Sequence, residues 1–272
     1  MKKFDFTKMH GLGNDFVIID ERDMKVNLSR TEIISVANRH TGIGCDQLIT
    51  IGINSESNIL IRFFNSDGEE VSACGNGSRC VARMLMEENN ASQINIYTKA
   101  GLLSCKKISN NIISINLGVP KLNWQEIPLN KEYDTSLIHF ELNNISISNP
   151  YFVNVGNPHA IFFVDNLNNF NIEDFGPLIE NDKMFPEKCN VTIAQVISPN
   201  HIKINVWERG AGKTLACGTA ACAATVAAYL KNLTINKIVV SLPGGDLDIE
   251  YNSDIVMSGA TEVSFKSSFE IN

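Results

Sequence analysis

Ala73-Cys74-Gly75-Asn76-Gly77 and Ala216-Cys217-Gly218-Thr219-Ala220 are the two stretches on which the reading of the fold turns. Each sets a Cys-Gly pair just ahead of a helical pattern. After the first, Val81, Met84 and Leu85 recur at helical spacing within residues 76–88. After the second, residues 219–230 (TAACAATVAAYL) are apolar nearly all round. A helix apolar on every face has to be buried on every side. Cys74 and Cys217 stand 143 residues apart in a chain of 272, about half its length, which points to a duplicated domain with equivalent sites. The boundary is expected around Gly118-Val119-Pro120, where a strand pattern runs into Gly and Pro.

Short β-like runs surround these helices, at residues 16–20, 58–64, 94–98, 111–117, 159–164, 191–196, 201–207, 237–242 and 246–250. Several alternate apolar and polar residues, as half-buried strands do; Ile202-Lys203-Ile204-Asn205-Val206 is the cleanest. Pro243-Gly244-Gly245-Asp246 reads as a hairpin turn. Ser29-Arg30-Thr31-Glu32 has the capping-box form and predicts a helix to about residue 39. Strands on either side of each helix imply an α+β fold in which sheets wrap a central helix.

Composition narrows the functional classes. With 44% hydrophobic and 19% charged residues the chain is globular, not disordered. A net charge of −7 without a Lys/Arg cluster excludes nucleic acid and anionic membrane as partners. No apolar run approaches the ~18 residues of a membrane span. Asp5 and Lys8 interrupt the start MKKFDFTKMHGLGNDF, so it does not read as a signal peptide. Seven cysteines, an odd number with no CxxC pair, read as free thiols of a reduced, cytoplasmic protein. The five histidines show no metal-ligand spacing. Gly210-Ala211-Gly212-Lys213-Thr214 resembles the end of a phosphate-binding loop, but Trp207 stands where that motif needs glycine.

A cysteine at a helix N-terminus meets unpaired N–H groups and the positive end of the helix dipole. Its pKa is expected to fall, giving some thiolate near neutral pH. The same N–H groups can bind a carboxylate, and the adjacent glycine lets a ligand come close. Two such cysteines on opposite sides of one cleft suit inversion at an amino-acid Cα. One thiolate removes the α-proton and the opposing thiol protonates the other face. The helix N-termini stabilise the developing negative charge without a metal or an imine cofactor. Cys45, Cys80, Cys105, Cys189 and Cys222 read instead as small apolar core residues.

Seven segments, two of them overlapping the stretches above, carry a resemblance. They are Met9-His10-Gly11-Leu12-Gly13-Asn14-Asp15-Phe16, Gly44-Cys45-Asp46-Gln47, Phe64-Asn65-Ser66-Asp67-Gly68, the run from Ala73 to Cys80, Gly156-Asn157-Pro158-His159, Cys189-Asn190-Val191 and the run from Trp207 to Thr219. In this order they resemble the diaminopimelate epimerases. The resemblance implies a cofactor-independent isomerase, working without pyridoxal phosphate, that interconverts LL- and meso-2,6-diaminoheptanedioate for lysine and peptidoglycan synthesis. It implies two similar domains, 1–118 (joined by 263–272) and 119–262, with the active site in the cleft between them, and a homodimer. It assigns acid/base roles to Cys74 and Cys217, supporting roles to His159 and Glu208, and substrate contacts to Asn14, Gln47, Asn65, Gly75, Asn76, Asn157, Asn190, Glu208, Arg209, Gly218 and Thr219. Chemistry suggests that the helix N–H groups and Thr219 hold the reacting carboxylate and Arg209 the distal one. A proline racemase or hydroxyproline epimerase shares the two-cysteine logic, but its substrate would leave Arg209 and the asparagines without a partner. A non-catalytic relative of the same fold is a third reading, against which both cysteines stand.

Overall fold

The computed structural model describes residues 2–56, 58–72 and 74–271; Met1, Ser57, Ala73 of the quoted motif and Asn272 lie outside the described residues. The chain divides into two units, Met1–Asn116 with Ser258–Asn272, and Leu117–Met257.

The first unit is built from β1 (Lys2–Gly11), β2 (Asn14–Asp20), α1 (Arg30–Ala37), β3 (Gln47–Ile53), β4 (Ile59–Asn65), β5 (Glu70–Val71), α2 (Gly75–Glu88), β6 (Gln93–Thr98), β7 (Gly101–Lys107) and β8 (Ile112–Asn116). The second carries β9 (His139–Leu142), β10 (Ile145–Ser148), β11 (Tyr151–Asn154), β12 (Pro158–Phe163), α3 (Ile172–Glu180), β13 (Asn190–Ser198), β14 (His201–Glu208), β15 (Gly212–Thr214), α4 (Gly218–Leu230), β16 (Lys237–Leu242) and β17 (Gly245–Tyr251). β18 (Ile255–Ala260) follows, and β19 (Glu262–Ile271) pairs antiparallel with β1 in the first unit.

The duplication suggested by the two Cys-Gly pairs is written into the strand pairing. In the first unit β1–β2 is antiparallel, β2–β3 parallel, β3–β4 antiparallel, β4–β6 parallel and β6–β7 antiparallel. In the second, β11–β12, β12–β13, β13–β14, β14–β16 and β16–β17 repeat that series in the same order. The short strands β5 and β15 lie antiparallel to β4 and β14, each just ahead of the central helix. Helices α1 and α3 fill the parallel crossovers β2–β3 and β12–β13, where such connections need a helix-length link.

In each unit the sheet curls round one helix. α2 packs against β1, β2, β6, β7 and β8, and α4 against β11, β12, β13, β16 and β17. α4 is alanine-rich with every residue from Ala220 to Ala228 buried, so strands approach it from all sides. α2 packs tightly on the sheet at Gly77, where a Cβ would stand 2.7 Å from Ile49 Cδ1 and 3.0 Å from Phe63 Cε1. The expected capping box is present at Ser29 and Glu32. The expected hairpin closes with Leu242 opposite Gly245. A second two-residue hairpin joins β1 to β2, with Gly11 opposite Asn14 and both turn residues, Leu12 (φ 56°) and Gly13 (φ 83°), in the left-handed region. That is the two-residue turn whose twist matches the strands, and it delivers Asn14 to the end of the sheet.

Candidate active site

In the first unit the candidate residues gather at one end of the parallel strands. Asn14 begins β2, Gln47 begins β3, Asn65 ends β4, and Cys74 is the N-cap of α2. Gln47 stands opposite Asn65 and donates from Nε2 to its Oδ1 at 2.8 Å. Cys74 Sγ accepts the Gly77 N–H at 3.4 Å, and its thiol donates to Asn14 Oδ1 at 3.8 Å. Asn76, buried in the first turn of α2, donates from Nδ2 to the same Asn14 oxygen at 3.2 Å. Gly75 opens the helix between them.

The second unit repeats the arrangement with different chemistry. Asn157 immediately precedes β12, Asn190 begins β13, Glu208 ends β14, and Cys217 is the N-cap of α4, which Gly218 opens. His159 is fully buried, and its Nε2 lies 2.8 Å from Asn157 Oδ1. Asn190 Nδ2, a donor, lies 3.5 Å from the same Nε2, but the shorter contact is to an oxygen that only accepts, which favours the tautomer with the proton on Nε2 and the lone pair on Nδ1. Nδ1 has no hydrogen-bond partner among the described residues. Asn190 donates to Pro158 O at 3.1 Å and accepts the backbone N–H of Arg209 at 2.9 Å. Arg209 also donates from Nη1 to Glu187 O at 2.9 Å. Thr214 Oγ1 donates to Glu208 Oε1 at 2.6 Å, and Cys217 Sγ lies 3.4 Å from Thr219 Oγ1.

The two sets occupy matching positions. Phe16 faces Gln47 across β2–β3 as His159 faces Asn190 across β12–β13, which makes Asn14 and Asn157 counterparts two residues earlier. Asn65 and Glu208 end the matching strands, and Asn76 and Thr219 each lie two residues past the capping cysteine.

Electrostatics corrects one expectation. The Cys217 thiol is not lowered by its helix terminus; its pKa is raised well above the ordinary value. Burial is the largest cause and the Glu208 carboxylate adds to it, while Thr219 and the Ala220 amide oppose both and lose. A charge stripped of water costs more than a few N–H dipoles return. His159 is driven the other way. Burial, reinforced by the positive charge of Arg209, brings its pKa down to about 3, so the ring is neutral. All seven cysteines are free. Burial pushes Cys45 up to about 11 and Cys80 and Cys105 up to about 12, and Cys189 is raised further still, as inert core thiols should be. Among the described residues no group of three or more His, Cys, Asp and Glu could hold a metal ion. No described helix is long and apolar enough to cross a membrane.

Sequence reasoning gave no role to several groups that hold the site residues. Glu180, buried at the end of α3, accepts Trp207 Nε1–H at 2.7 Å and the Gly210 N–H at 3.0 Å, fixing the turn that carries Glu208 and Arg209 from both sides. Gly176, one turn earlier, lies flat on Trp207, and a Cβ there would come within 2.4 Å of Cγ. Arg39, Asp15 and Asp46 form the equivalent support beneath Asn14.

The fold places the chain in a broad class of two-unit proteins with a helix inside each sheet. A phenazine biosynthesis protein of the PhzF family from Bacillus anthracis superposes with a TM-score of 0.71 over 100% of both chains at 15% identity. The sequence narrows that class. The family model described as diaminopimelate epimerase matches residues 6–122 and 151–264. The diaminopimelate epimerase of Pelagibacter ubique is 49% identical over 257 residues, 93% of each chain. That of Acidiphilium cryptum is 40% identical over 267 residues, 97% of this chain and 96% of its own. The chain belongs to the diaminopimelate epimerase family.

Proposed function

We propose that this chain interconverts LL- and meso-2,6-diaminoheptanedioate, inverting one Cα by two-base proton transfer. The observation that carries the reading is the repeated N-cap cysteine: Cys74 and Cys217 stand at the same point of the same topology in the two units. One thiolate takes the α-proton from one face of Cα and the other thiol returns a proton to the opposite face. In the reverse direction their roles exchange. The N–H groups that open α2 and α4, with Asn76 and Thr219, meet the carboxylate whose charge grows as the proton leaves.

Glu208, close enough to raise the Cys217 pKa, is the group to which the Cys217 proton passes. Neutral His159, its Nδ1 bare, is a hydrogen-bond acceptor in the same unit. Asn14, Gln47, Asn65, Asn157 and Asn190 supply amide donors and acceptors for the amino groups and carboxylates, and Arg209 takes the distal carboxylate. Neither a metal nor an imine cofactor enters any step. The reading includes a homodimer, supported by Val263 and Phe265, exposed on β19. It also includes a cytoplasmic setting, supported by the seven free thiols.

The test is incubation of the purified chain with LL-diaminopimelate in deuterium oxide, with proline as comparison. Meso product deuterated at the inverted centre, with proline unchanged, is expected. Exchange into proline but not into diaminopimelate would overturn the substrate assignment.

A further inference from the structure

A run of hydrogen bonds in the first unit has its direction fixed at both ends. Arg79, fully buried, donates from Nη2 to Asn76 Oδ1 at 2.7 Å. A guanidinium only donates. The oxygen of Asn76 therefore faces Arg79, and its Nδ2 faces Asn14 Oδ1 at 3.2 Å. At the other end Asn14 Nδ2 donates to Asp46 Oδ2 at 2.9 Å, and a carboxylate only accepts. Turning either amide over would set donor against donor or acceptor against acceptor.

Asp46 is itself held in place. Its Oδ1 accepts from Arg39 Nη2 at 2.7 Å, and its Oδ2 also accepts the Asp15 N–H at 3.1 Å. Arg39 spans to Asp15 through both terminal nitrogens, at 3.0 and 2.6 Å. Lys8 completes the set, bonding Asp15 Oδ2 at 2.6 Å and the Gly44 carbonyl. Burial works to raise the Asp15 pKa, but its bonds to Arg39 and Lys8 outweigh it and hold the carboxylate ionised.

We propose that Asp46, braced by Arg39, is a positioning residue that turns the carbonyl of Asn14, not its amide nitrogen, toward Cys74. Cys74 is thereby held at rest as a thiol that donates to Asn14 Oδ1, with the Gly77 N–H waiting on the sulfur. A hydrogen bond to the neutral form favours that form. When Asn14 turns to a substrate, the thiol loses its acceptor while Gly77 continues to favour the thiolate. The inference rests on the acid/base reading of Cys74, but its test does not need activity.

The experiment is the rate of carboxamidomethylation of Cys74 by iodoacetamide, followed by mass spectrometry on the tryptic peptide 63–79, which holds no other cysteine. The proteins are wild type, Asp46→Ala, Asp46→Asn and Asn14→Leu. Asp46→Asn removes the charge but keeps an oxygen acceptor, so it separates positioning from a simple field effect. Asp46→Ala and Asn14→Leu are expected to react about fivefold faster than wild type, the scale of one lost neutral hydrogen bond, and Asp46→Asn within about twofold of it. Asp46 is exposed, so all but Asn14→Leu should melt as wild type does. Equal rates for Asp46→Ala and Asp46→Asn, or an unchanged rate in Asn14→Leu, would overturn the proposal. Full epimerase activity in Cys74→Ala would instead overturn the acid/base reading and leave this result standing.

Discussion

His159 stands opposite Asn190 in the parallel pair β12–β13, the register that Phe16 and Gln47 hold in β2–β3. The duplication has kept the backbone and changed one side of the chemistry. An imidazole occupies in one unit the position of a phenyl ring in the other. The surroundings of the two cysteines thus differ: Cys74 lies beside the neutral amide of Asn14, while Cys217 has the Glu208 carboxylate among the causes of its raised pKa.

Replacing His159 by Phe imports the residue of the matching position and keeps a large ring in the core. Losing the hydrogen-bonding imidazole is expected to lower kcat by about 100-fold. Stability gives a second readout. The folded pKa of about 3 lies below the ordinary 6.5, so the unfolded chain binds the proton first. The wild type should therefore lose stability as pH falls from about 6.5 toward 3, by up to ~1.4 kcal/mol per pH unit from this group. Urea denaturation between about pH 7 and 4.5 should show a shallower acid slope in His159→Phe. Parallel slopes would show that His159 is not held neutral in the fold.

Glu208→Gln removes the charge beside Cys217 while keeping its shape. The Cys217 thiol should ionise more readily, since Glu208 is the second cause of its raised pKa, yet epimerisation should fall by about 100-fold or more for want of the proton acceptor. Alkylation of Cys217 across a pH series, read by peptide mass spectrometry, checks the first half, and kcat the second. Activity rising together with thiol reactivity would contradict the role given to Glu208.

Gly176 and Glu180 should matter well beyond their own helix. Gly176→Ala must push Trp207 off α3, at an expected cost of about 2–3 kcal/mol. Glu180→Gln leaves one of two buried N–H donors, Trp207 Nε1 or Gly210 N, facing an amide NH₂, for about 1–3 kcal/mol. Both should shift Trp207 fluorescence, measured in a Trp124→Phe background, and both should weaken substrate binding through the displaced Glu208–Arg209 turn. A shifted spectrum with unchanged KM and kcat would confine these residues to stability.

Arg209→Lys keeps the charge but loses the planar fork. If Arg209 holds the distal carboxylate, kcat/KM for diaminopimelate should fall by on the order of 2–4 kcal/mol of transition-state binding. An unchanged kcat/KM would remove it from the site.

The elements that sequence disclosed are those whose local chemistry agrees with their packing. The capping box of α1, the all-apolar run of α4 and the Pro243-Gly244 turn all stand where local rules put them. α3 was hidden because its sequence IEDFGPLIE carries Gly176 and Pro177, which local propensity reads as breakers. Here packing decides: Gly176 is needed against Trp207, and Asn171 caps the first turn. β1 escaped notice because Lys8 and Thr7 are buried within it, Lys8 through its ion pair with Asp15, so its pattern does not alternate. The site residues themselves sit in recognisable segments. Two of their supports, Arg39 and Glu180, lie in no quoted segment, since what makes each important is a partner between 7 and 30 residues away.

The pair of cysteines carries the proposed chemistry, and the decisive measurement is epimerisation by Cys74→Ala and Cys217→Ala, each followed from both LL- and meso-diaminopimelate. Inversion needs a base on one face and an acid on the other, so either substitution is expected to abolish turnover in both directions while the protein still folds and binds substrate. Near-wild-type epimerisation by either variant would contradict the two-base mechanism and with it the function proposed for this chain.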